Sequence, residues 1–70
     1  MNSDEAVARW NAAYPVGTRV RFWPGARTGE GREAITSSRA WLLGGHTPVV
    51  MVGAYAGGIA LTHVQPEEDQ

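Results

Sequence analysis

Two histidines, His46 and His63, and two carboxylates, Glu30 and Glu33, are the groups in the body of this chain that could move a proton or hold a metal. Their spacing argues against both uses. His46 precedes Thr47 and His63 follows Thr62. Neighbours on a strand point to opposite faces, so neither pair makes a nucleophile–base dyad by itself. No acid stands nearby in sequence to orient either imidazole. Two histidines without further converging ligands make a poor metal site, and the absence of cysteine removes thiolate sites and disulfides. We therefore expect no catalytic residue, no metal and no cofactor. His63 reads as a turn histidine bonded to backbone, and His46 as an exposed loop residue.

Phosphate chemistry is the next possibility, because Pro24–Arg32 holds Gly25, Gly29 and Gly31. A P-loop needs two glycines separated by four residues, then Lys and Ser or Thr at the start of a helix. Gly25 and Gly31 are one residue too far apart, no lysine follows, and Glu33-Ala34-Ile35 leads into a strand. The stretch reads as a long flexible loop with no apolar anchor of its own.

Recognition is better supplied than bond making. All six basic residues are arginine, and five of the seven acids (Asp4, Glu5, Glu67, Glu68 and Asp69) lie at the two ends. The body between them sets six arginines against Glu30 and Glu33, although the net charge is −1. A basic face beside acidic ends is one reading; arginine usage driven by a GC-rich genome is the other. Arg19, Arg21, Arg32 and Arg39 could neutralise phosphates while an interleaved Trp23 stacks a base. A dedicated nucleic-acid binder is usually clearly basic, which this chain is not. The competing reading is a solvated face whose arginines pair with Glu30, Glu33 or the tail.

A protein-binding surface is the third class. Trp23, Trp41 and Tyr55 cannot all be buried with Val20, Phe22, Leu42, Met51, Val52 and Leu61 in so small a domain. Tryptophan, tyrosine and arginine dominate binding hot spots, so Trp23, Arg27, Trp41 and Tyr55 are the expected partner-binding residues. Trp41 as plain core remains the alternative. The partner would be another protein or a second copy.

These side chains must be positioned by one domain, since 70 residues make no more. Residues 1–14 read as a helix over Asn2–Tyr14, capped by Ser3, with Asp4 and Glu5 at its positive end. Val7, Trp10 and Tyr14 form its apolar stripe, and Pro15 ends it. Thr18–Trp23 is a strand with Val20 and Phe22 inward and Arg19, Arg21 and Trp23 outward. Pro24 stops its pairing. Glu33–Leu43 is a second extended stretch, bent near Ser37 or Ser38 so that Ile35 and Leu42 share a face. Gly44–Thr47 turns it into Pro48–Tyr55, apolar on both faces and therefore either central or covered on its second face by the helix or another subunit, with Val50, Val52 and Ala54 sharing one side. Gly53 marks a bulge or a close backbone approach. After Ala56-Gly57-Gly58 come a short strand Ile59–Leu61 and a tight turn that brings Leu61 and Val64 inward. Residues 67–70 read as an acidic disordered tail. No run approaches a membrane span, and the N-terminus has no basic region of a signal peptide, so a cytoplasmic location is expected.

The order of these elements resembles the SH3-like barrel. Gly17–Trp23 looks like its first strand, Pro24–Arg32 like its long loop, and Leu61-Thr62-His63-Val64 like the helical turn before its last strand. Ala40–Val50 and Gly57–Val64 resemble small uncharacterised proteins of actinobacteria and their phages. The resemblance covers Tyr14–Pro66 and implies a small five-stranded barrel over residues 15–66 with an accessory role, not a chemistry. Small plasmid-encoded dihydrofolate reductases share such a barrel, but their Val-Gln-Ile-Tyr pore segment is replaced here by Gly58-Ile59-Ala60-Leu61. The sequence thus predicts a mainly β protein: an SH3-like five-stranded barrel with a short N-terminal helix, non-enzymatic and protein-binding.

Overall fold

The computed structural model describes residues 2–53 and 55–67. Its elements are α1 (Ser3–Ala13), β1 (Arg19–Phe22), β2 (Arg32–Ile35), β3 (Trp41–Leu43), β4 (Thr47–Met51), β5 (Gly58–Ala60), a 3-10 turn (Leu61–His63) and β6 (Val64–Pro66). The strands form two three-stranded antiparallel sheets, ordered β2-β1-β6 and β3-β4-β5. The protein is mainly β with one short helix, and among the described residues the ladder does not close on itself. No helix among these residues is long and apolar enough to cross a membrane.

The helix, Ser3–Ala13, lies within the expected Asn2–Tyr14, but its cap is one residue earlier than the sequence suggests. Asn2, not Ser3, is the cap: its Oδ1 accepts from the Glu5 N–H at 2.7 Å. Asparagine caps as well as serine, and the extended residue before the first turn falls at position 2. At the other end, Tyr14 before Pro15 is extended, as the proline requires. Trp10 is buried, with Val7 and Tyr14 packed beside it on the core. The Trp10 and Tyr14 rings lie 4.7 Å apart. Asn11 adds a polar dock: it accepts from the Ala40 N–H at 2.8 Å and donates to the Ala40 carbonyl at 3.1 Å. This satisfies backbone just before β3 much as a neighbouring strand would.

In β1, Val20 and Phe22 are buried as the alternation predicts. β2 pairs on one side, with Val20 opposite Ala34 and Arg21 opposite Glu33. β6 pairs on the other, with Phe22 opposite Val64. The second extended stretch breaks into β2 and β3 at the predicted polar bend. Ile35 does not join the core, however. It stands opposite Arg19 on the outer face and is 53% exposed, while Ala34 takes the inner position.

Thr36 organises the bend and is buried. Its hydroxyl accepts from the Gly17 and Thr18 N–H groups at 3.1 Å each and donates to the Pro15 carbonyl at 3.4 Å. Thr36 also bridges Val52, and the Ser37 N–H donates to the Met51 carbonyl at 2.9 Å. The bend thus passes the chain from the first sheet to the second. Thr36→Val keeps the shape and removes the hydroxyl. We expect it to cost about 1–2 kcal/mol in urea unfolding. The effect is bounded because Gly17 N–H also reaches the Thr36 carbonyl at 3.0 Å and Thr18 N–H the Pro15 carbonyl at 3.2 Å.

β4 is the central strand of its sheet, as its two apolar faces predict. Val50 and Val52 join Trp10, Val20, Phe22 and Ile59 in the core. Ala54 lies outside the described residues. Gly53 donates its N–H to the Ile35 carbonyl at 2.8 Å, but a Cβ there would meet nothing nearer than that oxygen at 3.5 Å, so no close backbone approach requires the glycine. Val64 is buried and Leu61 packs against the core, as expected of the turn before the last strand. Glu67 is not part of a loose tail: its N–H donates to the Arg19 carbonyl at 2.9 Å, continuing the β1–β6 pairing. The rest of the predicted tail, residues 68–70, lies outside the described residues.

Candidate functional site

The residues expected at a partner surface fall into three separate places. Trp23 and Arg27 come together, but as an internal clasp. Trp23 is only 8% exposed, because the Pro24–Gly31 loop folds back over it. Its Nε1 donates to the Gly29 carbonyl at 3.3 Å, and the Arg27 guanidinium sits 4.5 Å from its ring centroid. Arg27 is held from the other side by the Thr62 carbonyl at 2.9 Å and Gln65 Oε1 at 2.8 Å. The loop has no apolar anchor of its own, as expected, but it is held from outside. The anchor is Trp23, supplied by the residue after β1, so Trp23 is not an open hot spot.

Between this loop and β6 lies a depression of about 320 Å³ lined by Arg21, Trp23, Gly29, Glu30 and Gln65. Arg21 is its one cationic wall, and each of its three guanidinium nitrogens donates a hydrogen bond. Nε donates to Glu67 Oε2 at 2.8 Å, Nη2 to Glu33 Oε2 at 2.8 Å and Nη1 to the Glu30 carbonyl at 2.9 Å. The hydrogen bond that Arg21 donates to Glu67, opposed by burial and helped by the charges of Glu67 and Glu33, raises the Arg21 pKa above its ordinary value. The side chain stays charged at any working pH, matched by two carboxylates that a phosphate would have to displace.

The four arginines expected to grip nucleic acid are not brought to one face. Arg19 and Arg21 share the outer face of β1, and Arg19 has interactions of its own. Arg32 stands opposite Phe22 in the register, so it points to the other side of the sheet from Arg21 and Glu33. Arg39 lies in the bend before β3. Nearness in sequence hid this, because a single residue step reverses the side on which a strand residue emerges.

Tyr55 is a rim residue of the core, half-buried with its ring 5.7 Å from that of Phe22. Trp41 lies elsewhere, on the outer face of β3-β4-β5. It pairs with Val49, which pairs in turn with Ala60. Val49 is outside the core cluster that holds Val50, yet it is only 2% exposed. The cover is Trp41 itself. A Cβ built on Gly58 would lie 3.3 Å from Trp41 Cη2 and 2.9 Å from Val49 Cγ2, so the indole crosses β4 into the space the glycine leaves. Leu43, 53% exposed, and half-buried Met51 extend the same face along the register. From Ala40 to Pro66 the chain has no Asp, Glu, Lys or Arg. The face is thus apolar and uncharged. Leu43 and Met51 escaped the sequence reading, although the charge-free run was a signal for them.

His63 contributes backbone, its carbonyl accepting from the Trp23 N–H at 3.0 Å, and His46 lies in the exposed β3–β4 turn. Among the described residues no group of three His, Cys, Asp or Glu is placed to hold a metal. No family model, curated protein or solved structure matches the chain.

Proposed function

We propose that the chain is a small non-catalytic protein-binding module of SH3-like build, docking through the outer face of β3-β4-β5. The SH3-like reading takes β2 and β3 as halves of one strand bent at Thr36–Ser38, which reduces six strand segments to five. The pairing of β1 with the strand that follows the 3-10 turn supports it. The binding reading rests on one observation: an uncharged apolar sheet face centred on Val49 and Trp41, on the side of β4 away from the core. The aromatic–arginine surface expected at Trp23 and Arg27 is used within the molecule, and this moves the docking site to Trp41. The nucleic-acid alternative is disfavoured by the two carboxylates on Arg21.

The test is a photo-reactive phenylalanine in place of Leu43, irradiated in the producing cell. A discrete protein adduct that survives nuclease supports the reading. No protein adduct, or one made of nucleic acid, overturns it. Leu43→Glu is expected to change stability by no more than about 0.5 kcal/mol, as for other surface positions, when measured by urea unfolding.

A further inference from the structure

We infer that the occupant of this face is a second copy of the same chain, joined to the first isologously. The inference rests on the docking reading above and goes beyond it by naming the partner. In an isologous pair the same patch meets itself across a twofold axis, so a charge near the axis meets its own like. The β3-β4-β5 face avoids this conflict, because no charged residue occurs from Ala40 to Pro66. A partner of opposite charge would instead be met by a charged rim, whereas here the nearest charge in sequence is the single Arg39, exposed in the bend two residues before Trp41. The described ion pairs are on α1 and on β1, β2 and the segment after β6. A patch without charge complements itself, and Trp41, Leu43 and Met51 supply the apolar side chains to interdigitate between two stacked sheets.

Size sets the strength. Three strands about 4.8 Å apart and at most about 17 Å long give a face of roughly 250 Å² in projection. Two such faces give roughly 500 Å² in projection, well below the ~1,200–2,000 Å² total typical of stable interfaces. The dimer should therefore be weak and concentration-dependent. Self-association would also suit a chain of this length, which has no disulfide to support a small core.

The test is sedimentation velocity from micromolar to millimolar protein on the wild type, Leu43→Glu, Leu43→Lys and an equimolar mixture of the two variants. Circular dichroism first establishes that each variant is folded. The expected result is a wild-type sedimentation coefficient that rises with concentration. Each variant alone should dissociate at least tenfold more readily, and the mixture should regain association through opposite charges. A wild type that stays monomeric to millimolar concentration overturns the inference, as does a Leu43→Glu variant that dimerises like the wild type. The two readings fail separately. A monomeric wild type whose position 43 still crosslinks to a different protein keeps the docking face and removes the second copy.

Discussion

Gly31→Ala is expected to destabilise the protein by about 3 kcal/mol, for two additive reasons. The backbone at Gly31 has φ +71°, in the left-handed region where a Cβ costs about 1 kcal/mol. The new methyl would also lie 2.6 Å from Trp23 Cε2, 2.8 Å from Nε1 and 2.9 Å from the Phe22 carbonyl. Neither neighbour yields easily: one is strand backbone, and the indole is held by Gly29 and Arg27. Gly29 provides the control, since its φ is +72° but nothing lies within 4 Å of its Cβ position. Gly29→Ala should therefore cost only the backbone share, about 1 kcal/mol. Urea unfolding followed by tryptophan fluorescence measures both. Equal losses at the two positions would mean that the loop does not close on Trp23.

Trp10→Ala should be the most damaging change on the helix, at about 3–5 kcal/mol. A domain of this length has a total stability of roughly 4–10 kcal/mol, so much of the molecule would be unfolded at 25 °C. The indole is 8% exposed and packs with Val50 and Val52, and its loss leaves a cavity that Tyr14 alone cannot fill. An 11-residue helix has little stability without such docking. We expect helix and sheet signals to disappear together in circular dichroism and near-ultraviolet spectra. A variant that loses only helical signal and keeps its sheets would show that α1 is an appendage, not part of the core.

The fold was legible wherever a local rule decided it. Alternation placed Val20 and Phe22 inside, Pro15 ended the helix, and Thr36-Ser37-Ser38 marked the bend. Two apolar faces on one strand placed β4 at the centre of its sheet. Features that depend on distant partners were not legible. Nothing near Trp23 announces that Arg27 will reach Thr62 and Gln65, or that Gly31 will close on the indole. The arginine face failed for a related reason. The competing reading named both partners of Arg21, Glu33 and the tail, but not that Glu67 would be brought there from the far end of the chain by the β1–β6 pairing. Arg32 lies on the wrong side by a single step of the strand. At the candidate site, Trp41 was identified but not its surroundings. Which residues share its face follows from the β3–β4–β5 register, and the space its ring occupies follows from the missing side chain at Gly58.

Occupation of the docking face by a second copy is tested most directly by methyl NMR of Leu43 and Met51 in the presence of a soluble paramagnetic cosolute, over a dilution series. Both sets of methyl signals should broaden in dilute protein and become protected as concentration rises, while Val16, equally exposed at 53%, broadens throughout. Broadening of Leu43 and Met51 that is the same at every concentration, and in step with Val16, would contradict self-association through this face.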